Sequence, residues 1–390
     1  MSWSLVKLGD ICTTTQGVQI TKANTKEEPY QGGYRYLYIA DFMSEKKLSF
    51  VDDEFDHKKV TSNDLVMANT GSPGRVFKGK DGILSNNLFK ISFDNNSVDR
   101  DYLYMMLSSN VFQSLLQKQM KGGIQKHLGH QTISRQEIPL PPLEEQKRIA
   151  AILDKADAIR HKRQQAIQLA DDFLRSVFLD MFGDPKTKGW EITTVEKVAE
   201  SIKGSMRTGP FGSQLLHSEF VEKGIAVLGI DNAVENKFKW GKQRFITEEK
   251  YQQLKRYTVK PDDVIITIMG TCGRCAVVPE DIPTSINTKH ICCITLDKDK
   301  CLSSFLHSYF LYHPDCQKYL ATNTKGAIMA GLNMGIVKGI PVPLVPLNLQ
   351  VKYDSMARRL NGLSKELSEH KGSGNSLFNS LSQKAFAGEL

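Results

Sequence analysis

Three stretches of this 390-residue chain carry residue types suited to phosphate or metal chemistry. The first runs from Gly74 through Gly79 and Lys80, which nearly spells a phosphate-binding loop. Asp81 stands where such a loop needs Ser or Thr to reach magnesium. The matching segment in the second half of the chain has Val278 and Pro279 at these places. The sequence therefore predicts no nucleotide site here.

The second and third stretches could ligate metal. Cys272 and Cys275 form a Cys-x-x-Cys motif, and Cys292–Cys293 follows. A structural zinc site needs a second pair at ligand spacing, which adjacent cysteines do not provide. The His-x-x-His at 127–130 lacks an accompanying glutamate. We expect small buried side chains at the cysteines and no metal at either place.

Other catalytic arrangements are missing from the sequence. Pro261-Asp262-Asp263 is not followed within forty residues by the Asp/Glu-x-Lys of a nuclease-like site. No Gly-x-Ser-x-Gly and no Gly-x-Gly-x-x-Gly is present. The Asn/Asp-Pro-Pro-Tyr of amino-methylating enzymes is also missing. The sequence favours a recognition protein over an enzyme.

The elements that would position a recognition surface occur twice. Gly71-Ser72-Pro73-Gly74-Arg75 parallels Gly270-Thr271-Cys272-Gly273-Arg274, and Ser85-Asn86-Asn87 parallels Ser285-Ile286-Asn287. Each copy reads as a mixed α/β globular unit of several short strands. Longer loops in the second copy suggest that the loops carry recognition.

Each copy is followed by a long helix that begins Pro-Leu-x-x-Gln. Apolar residues in each helix follow a heptad, which predicts that the two helices pack lengthwise as an antiparallel coiled coil. The predicted seam residues are Ile149, Ile152, Ala156, Ile159, Ala170, Phe173 and Val177 in the first helix, and Tyr353, Met356, Leu360, Leu363, Leu367, Leu377 and Leu381 in the second. Two glycines predict a break or bend near Lys371–Asn375.

Composition limits the class of protein. Hydrophobic residues make up 40% of the chain and charged residues 24%, as in globular proteins, and no apolar run has membrane-spanning length. Seven cysteines and the lack of a signal-peptide pattern favour a reducing cytoplasm. The net charge of +8 is compatible with a polyanionic partner.

The segment from Pro139 to Leu153, with its Leu-Pro-Pro-Leu-Glu-Glu-Gln spacer motif, resembles that of type I restriction-modification specificity subunits. The order of parts and the Ala385–Leu390 ending are also similar to that family. The resemblance implies target-recognition domains at 1–141 and 183–345, spacer helices at 142–182 and 346–390, and an internal pseudo-two-fold repeat.

That resemblance implies a non-catalytic DNA-recognition subunit that reads a bipartite, asymmetric double-stranded DNA site, one half per domain. It implies two methyltransferase subunits and further restriction subunits as partners. S-adenosylmethionine, ATP and magnesium are expected on those partners and not on this chain.

Residues that contact DNA are expected in the loops found at matching places in both copies. Arg and Lys bind phosphate or guanine, and Asn and Gln bind adenine. The predicted DNA-binding residues are Arg75, Gln125, Lys126, His127, Lys203, Arg207, Arg274, Asn323 and Lys325.

Two other readings stay open at this point. The chain is alternatively a coiled-coil scaffold whose end domains bind protein partners, or an enzyme that uses the cysteines between 272 and 293. Strong salt dependence of DNA affinity would favour the first reading over the scaffold. Stoichiometric zinc would favour the enzyme.

Overall fold

The computed structural model describes residues 3–44, 48–120, 127–324 and 331–390, with 53, 324 and 369–376 described by their backbone alone. The chain forms two compact units. Unit 1 comprises Met1–Gln164 with Ser368–Leu390, and unit 2 comprises Gln165–Leu367. In the described ranges, no helix is long and apolar enough to cross a membrane.

The globular part of unit 1 alternates short strands and helices. Its strands are β1 (Leu5–Lys7), β2 (Cys12–Gln16), β3 (Tyr34–Leu37), β4 (Phe50–Val51), β5 (Lys59–Val60), β6 (Leu65–Ala68), β7 (Val76–Lys78), β8 (Gly82–Leu84), β9 (Leu88–Phe93) and β10 (Glu137–Pro139). Its helices are α1 (Leu8–Ile11), α2 (Arg100–Ser108), α3 (Asn110–Gln119) and α4 (His130–Ser134), with 3₁₀ turns at Lys22–Asn24, Ile39–Phe42 and Asp53–Lys58. The long helix α5 (Leu143–Phe182) follows.

Within the described residues, the globular part of unit 2 has a similar order of elements, but it has no strand counterpart of β5 and has a helix at Glu248–Leu254 in place of the turn Asp53–Lys58. Its strands are β11 (Ile192–Thr194), β12 (Met206–Thr208), β13 (Ile225–Leu228), β14 (Phe245–Ile246), β15 (Val264–Thr267), β16 (Cys275–Val277), β17 (Ser285–Asn287), β18 (Ile291–Ile294) and β19 (Pro341–Pro343). Its helices are α6 (Val195–Val198), α7 (Glu248–Leu254), α8 (Ser303–Tyr312), α9 (Pro314–Thr324) and α10 (Met334–Lys338), with 3₁₀ turns at Gly212–Gln214, His217–Glu219, Ile230–Asn232 and Lys255–Tyr257. The long helix α11 (Leu347–Ala387) follows.

Sheet topology confirms the predicted duplication. The main antiparallel sheet has the order β2-β9-β6-β7 in unit 1 and β12-β18-β15-β16 in unit 2. Each unit also has a second sheet, which contains the parallel pair β3-β8 in unit 1 and the parallel pair β13-β17 in unit 2. A two-stranded ribbon, β1-β10 or β11-β19, closes each globular part. The predicted mixed α/β class with two repeats is correct.

We call β6 and β15, which are inner strands of the two main sheets, the central strands; each is buried on both faces, which explains its uninterrupted apolar sequence. In β6, Leu65 belongs to the core that contains Leu103 of α2. The next residue, Val66, faces the second sheet and shares a core with Leu37. Each globular part is therefore layered as helices, main sheet and second sheet, and β15 repeats this pattern in unit 2.

A buried glutamine attaches α5 to its globular part. The Gln146 side chain is fully buried and accepts a hydrogen bond from the Asp99 backbone N–H (2.8 Å). Its amide nitrogen donates to the carbonyls of Ser97 (3.0 Å) and Pro141 (2.8 Å). The glutamine of the Pro-Leu-x-x-Gln motif thus positions the start of the helix.

Gln350 makes the same three bonds at the start of α11. Its side-chain oxygen accepts from the Leu302 N–H (2.8 Å), and its nitrogen donates to the carbonyls of Lys300 (3.0 Å) and Val345 (2.8 Å). Because each bond has its counterpart in unit 1, both helices leave their globular parts in the same local geometry.

The two long helices run antiparallel. In unit 1, Arg148 Nη2 donates to the Leu390 carbonyl (3.0 Å), and the Arg160 guanidinium lies 5.3 Å from the centre of the Phe378 ring. In unit 2, Phe178 near the end of α5 lies against Tyr353 near the start of α11, with ring centres 5.4 Å apart. The backbone stays helical through Lys371–Asn375, so α11 is not broken there; the predicted bend stays a prediction.

The heptad prediction is wrong at four seam positions. The exposed residues are Ile159 and Phe173 (each 53% exposed), Leu363 (55%) and Leu377 (66%). Ile149 and Tyr353 are buried as predicted, but so are Leu153 and Leu174, which lie off the seam. The other predicted seam residues are half-buried: Ile152, Ala156, Ala170, Val177, Met356, Leu360, Leu367 and Leu381. An α-helix drifts by about 20° per heptad from a 3.5-residue repeat, and the globular cores cover the helix ends instead.

Candidate nucleic-acid interface

A glycine turn lies at the end of the central strand in each unit. Gly74 donates its N–H to the Ala68 carbonyl (2.8 Å), and Gly273 donates to the Thr267 carbonyl (2.9 Å). Both glycines have positive φ, +90° and +81°, which a side chain would strain. Arg75 and its counterpart Arg274 therefore follow the turns at equivalent exposed places.

A second loop docks beside each glycine turn. The Leu128 N–H donates to the Asn69 carbonyl (2.9 Å), and the Leu332 N–H donates to the Ile268 carbonyl (2.8 Å). His127 is exposed next to the first of these contacts. The predicted DNA-binding residues Gln125, Lys126 and Lys325 lie outside the described residues.

A third loop joins β8 to β9 and β17 to β18. The Asn69 N–H donates to the Asn87 carbonyl (3.0 Å), and the Ile268 N–H donates to the His290 carbonyl (2.9 Å). We call these three loops tip 1 (69–75, 85–87 and 127–129) and tip 2 (268–274, 288–290 and 331–333). Arg75 and His127 belong to two of the loops that meet at tip 1, and Arg274 belongs to tip 2.

The sequence alignment of this third loop is wrong by three residues. Ser85–Asn87 corresponds to Thr288–His290, because Ser85 and Thr288 both donate their N–H to matching β3 and β13 carbonyls (each 2.9 Å). Ser285–Asn287 is strand β17 itself. A shared Ser-x-Asn pattern produced the error, so Lys289 and His290 were missed as tip residues.

Arg207 is not a DNA-contacting residue, which corrects the prediction. It is 8% exposed, and all five of its N–H groups have acceptors inside unit 2. Those acceptors are the Thr258 carbonyl, which takes two bonds, the Gly204 carbonyl, the Thr295 hydroxyl and the Asp263 carboxylate (2.5 Å). A guanidinium so saturated has no donor for DNA.

Lys203 and Asn323 also lie apart from the predicted recognition geometry. Lys203 is exposed in the loop before β12, near Ser205, whose carbonyl accepts from the Thr295 N–H at the far end of β18 from tip 2. Asn323 is exposed on α9, but its amide donates to the Tyr319 carbonyl of the same helix (2.8 Å). Neither residue is brought to tip 2 by a described contact.

The tips differ in chemistry although their frames match. At tip 1, the Gln16 and Asn69 amides donate to the Asn86 carbonyl (2.8 and 2.9 Å), and the Asn86 amide donates to Gln19 Oε1 (3.2 Å). At tip 2, burial and the nearby cations Lys289 and Arg244 lower the pKa of His290. Tip 1 is an amide network and tip 2 is electropositive.

Five of the six cysteines of unit 2 are buried in its core, and Cys272 is half-buried against it. Cys275, Cys292 and Cys293 are buried strand residues, and burial raises the pKa of the Cys292 thiol to about 12. Thiols with such pKa values stay protonated at neutral pH, whereas a cysteine nucleophile reacts as the thiolate. Among the described residues, no three His, Cys, Asp or Glu side chains are grouped to hold a metal.

Comparison with known proteins identifies the family. The model of the type I restriction modification DNA specificity domain matches residues 1–169 and 187–371. The MjaVIII specificity subunit of Methanocaldococcus jannaschii is 26% identical, across 93% of this chain and 86% of that protein. The EcoBI specificity subunit of Escherichia coli is 22% identical, across 100% and 86%.

Solved structures share the fold. An S subunit of a type I restriction-modification system from M. genitalium has a TM-score of 0.64 and 17% identity, across 99% of this chain and 96% of that one. A chain from a study of complex assembly in the type I R-M system has a TM-score of 0.54 and 16% identity, across 100% and 98%. With its two family domains and its two long helices, this chain belongs to the type I restriction-modification DNA specificity family.

Proposed function

We propose that this chain is the specificity subunit of a type I restriction-modification complex, and that each unit reads one half of a bipartite, asymmetric DNA site. The observation that carries this proposal is the pair of tips: three loops meet at equivalent places on one duplicated frame, yet carry different side chains. Equivalent frames present their tips to similar DNA geometry, and different side chains select different bases.

The chain recognises DNA and leaves the chemistry to its partners. The buried cysteines of unit 2 are ordinary core residues and not nucleophiles, which argues against the enzyme reading. S-adenosylmethionine, ATP and magnesium then bind to the partner subunits. Those partners are methyltransferase subunits, which modify adenine, and restriction subunits.

Two methyltransferase subunits bind the exposed apolar residues of the helices. Ile159 and Leu363 occupy equivalent places in α5 and α11, and so do Phe173 and Leu377. Unit 1 contains Ile159 with Leu377, and unit 2 contains Leu363 with Phe173. Repeated apolar exposure marks a protein interface, and its presence in each unit supports two copies of one partner.

The proposal is tested by deleting the chain from its native cell and mapping methylated adenines, with a parallel pull-down of the tagged full chain. We expect a methyltransferase to co-purify at two copies per chain and one bipartite motif to lose its methylation. An unchanged methylome without a bound methyltransferase would contradict the proposal. A partner protein without salt-dependent DNA binding would support the scaffold reading instead.

A further inference from the structure

The loop between β8 and β9, with its counterpart between β17 and β18, has the same backbone in both units. The Leu88 N–H donates to the Ser85 carbonyl (3.0 Å), and the Ile291 N–H donates to the Thr288 carbonyl (3.2 Å). Both turns also accept a bond from the residue after the central strand, as described for Asn87 and His290. Asn86 and Lys289 are therefore equivalent positions that differ only in side chain.

The residues beside Asn86 and Lys289 also differ, with an amide in unit 1 and an aromatic ring in unit 2. Gly17 and Gly209 are equivalent, because each packs against the end of β8 or β17 so closely that a Cβ would lie 1.9–2.2 Å from a backbone oxygen. Two residues later, unit 1 has the amide of Gln19 and unit 2 has Phe211, which is 52% exposed. Tip 1 therefore presents amides where tip 2 presents a cation and an aromatic ring.

The amides of tip 1 form a ready hydrogen-bonding edge. Within the described chain, the bond from Asn86 Nδ2 to Gln19 Oε1 leaves Asn86 Oδ1 as an acceptor and Gln19 Nε2 as a donor. One acceptor beside one donor is the pattern that matches the N6 and N7 atoms of adenine in the major groove. The side-chain amides of Gln16 and Asn69, which donate to the Asn86 backbone carbonyl, hold this edge in place.

Tip 2 has the complementary chemistry. Lys289 and His290 are half-buried, and Arg244 is ion-paired with Asp231 beside them. A lysine ammonium donates to O6 and N7 of guanine, which are both acceptors. Burial, and to a smaller extent Lys289 and Arg244, lowers the pKa of His290.

We infer that Asn86 and Lys289 are equivalent specificity-determining residues, Asn86 for an adenine in the half-site of unit 1 and Lys289 for a guanine in the half-site of unit 2. This inference rests on the proposed function, since it assumes that the tips meet DNA. It goes further by assigning a base to each half-site and a residue to each base.

The test compares methylated motifs in cells that carry the complete complex with wild-type chain, Asn86→Ala or Lys289→Ala. We expect Asn86→Ala to relax one A·T position in one half-site by about 5- to 150-fold in base preference, and to leave the other half unchanged. Lys289→Ala should relax one G·C position in the other half only. The exchange variant Asn86→Lys should convert the A·T preference to G·C.

Matched controls lie at the opposite ends of the same strands. Asn95 and Lys298 are exposed residues that follow β9 and β18. Asn95→Ala and Lys298→Ala therefore remove an amide and an ammonium group away from the tips. The six-residue strand β9 is about 17 Å long, which separates Asn95 from tip 1. Both controls should keep the wild-type motif. In DNA binding by the complex, Lys289→Ala should weaken binding to the wild-type site more than to a site with that G·C pair replaced, and Lys298→Ala should not.

Each outcome separates the inference from the proposed function. A wild-type complex that yields no bipartite motif would overturn the proposed function. A wild-type motif that persists unchanged in folded Asn86→Ala and Lys289→Ala complexes would overturn the inference alone, as would relaxation at a base pair of the other type. For a complex that no longer methylates, selection of bound DNA from a randomised pool gives the same comparison.

Discussion

Asp263 organises the base of unit 2, the end of the main sheet at which β15 begins. Its carboxylate accepts from the Arg207 guanidinium, the Thr295 hydroxyl (2.6 Å) and the Lys260 N–H (2.8 Å). In unit 1 the equivalent Asp64 pairs with Lys90 (3.2 Å). The cation thus comes from the edge strand β12 in unit 2 and from the inner strand β9 in unit 1.

Both cations also bind the same backbone group. Lys90 Nζ donates to the Lys59 carbonyl (3.0 Å), and Arg207 donates to the Thr258 carbonyl, which occupies the equivalent position. Strand pairing places Lys90 opposite Thr15, and Cys293 opposite Arg207. One interaction is therefore kept while its cation has moved between neighbouring strands.

Transplanting the arrangement of unit 1 tests this equivalence. Arg207→Thr alone should lower the free energy of unfolding of unit 2 by about 3–5 kcal/mol, because it leaves Asp263 buried without a cation. Adding Cys293→Lys should restore a substantial part of that loss. Urea unfolding of the full chain measures both, with the exposed Lys203→Thr as a control that should change little. Equal stability of the single and double variants would contradict the equivalence of Lys90 and Arg207.

The sequence predicted an exposed role for Arg207 because its loop is rich in glycine and polar residues. Nothing near Arg207 in sequence reveals Asp263, which lies 56 residues away and meets it only through strand pairing. Arg75 and Arg274 could be predicted, since their position after a glycine turn is a local property. Lys289 could not be predicted, because the shared Ser-x-Asn pattern aligns Ser85–Asn87 with Ser285–Asn287, three residues before the true counterpart.

At the scale of elements, the buried glutamines decide how each long helix begins. Gln350→Leu should lower the free energy of unfolding by about 2–4 kcal/mol, because it leaves the Leu302 N–H and two carbonyls buried without partners. Amide hydrogen exchange at Leu302 should rise with it. Gln383→Leu, an exposed change on the same helix, is the control. Unchanged protection at Leu302 would show that the glutamine does not hold the helix.

The exposed apolar residues predict where partners bind. Leu363→Asp should remove one of two methyltransferase subunits, and Ile159→Asp should remove the other, because each puts a charge into one of two equivalent contacts. Native mass spectrometry of the purified complex counts the subunits. Asn361→Asp adds the same charge at an exposed polar position of α11 and should leave both bound. Retention of two subunits by both apolar variants would rule out this surface.

The helices themselves could be predicted from sequence, and their contact surface could not. The heptad and the Pro-Leu-x-x-Gln start predicted elements that the structure has at Leu143–Phe182 and Leu347–Ala387. A heptad states only that one stripe is apolar. Whether a core, a second helix or a separate subunit covers it depends on neighbours that are distant in sequence, as Phe173 and Leu377 show.

At the scale of the whole chain, unit 2 responds to acid through buried histidines. Burial lowers the pKa of His313 and of His307, whose Nε2 lies 3.0 Å from the Asn236 carbonyl. Below about pH 6.5 the unfolded chain therefore binds more protons than the folded chain, and the free energy of unfolding falls as the pH falls. The effect is absent above that range.

Urea unfolding at pH 7.5, 6.5 and 5.5 checks this dependence. We expect the midpoint to fall between pH 6.5 and 5.5, and hydrogen exchange to speed up in Gln165–Leu367. His313→Gln removes one titrating group and should flatten the dependence, whereas His217→Gln at an exposed surface position should not. A midpoint that stays constant across this range would contradict the prediction.

The displaced cation at the base of each sheet also restricts how one copy can evolve into the other. A single substitution at position 207 leaves a carboxylate in the core without a counter-ion, and a single substitution at position 293 places two positive charges beside one acid. Either intermediate is less stable than both end states. The arrangements of the two units are thus separated by a less stable single variant, whereas the residues of tip 1 and tip 2 can change one at a time. Such a chain can acquire new DNA targets by successive single substitutions at the tips, while the ion pair at the base of each main sheet stays unchanged.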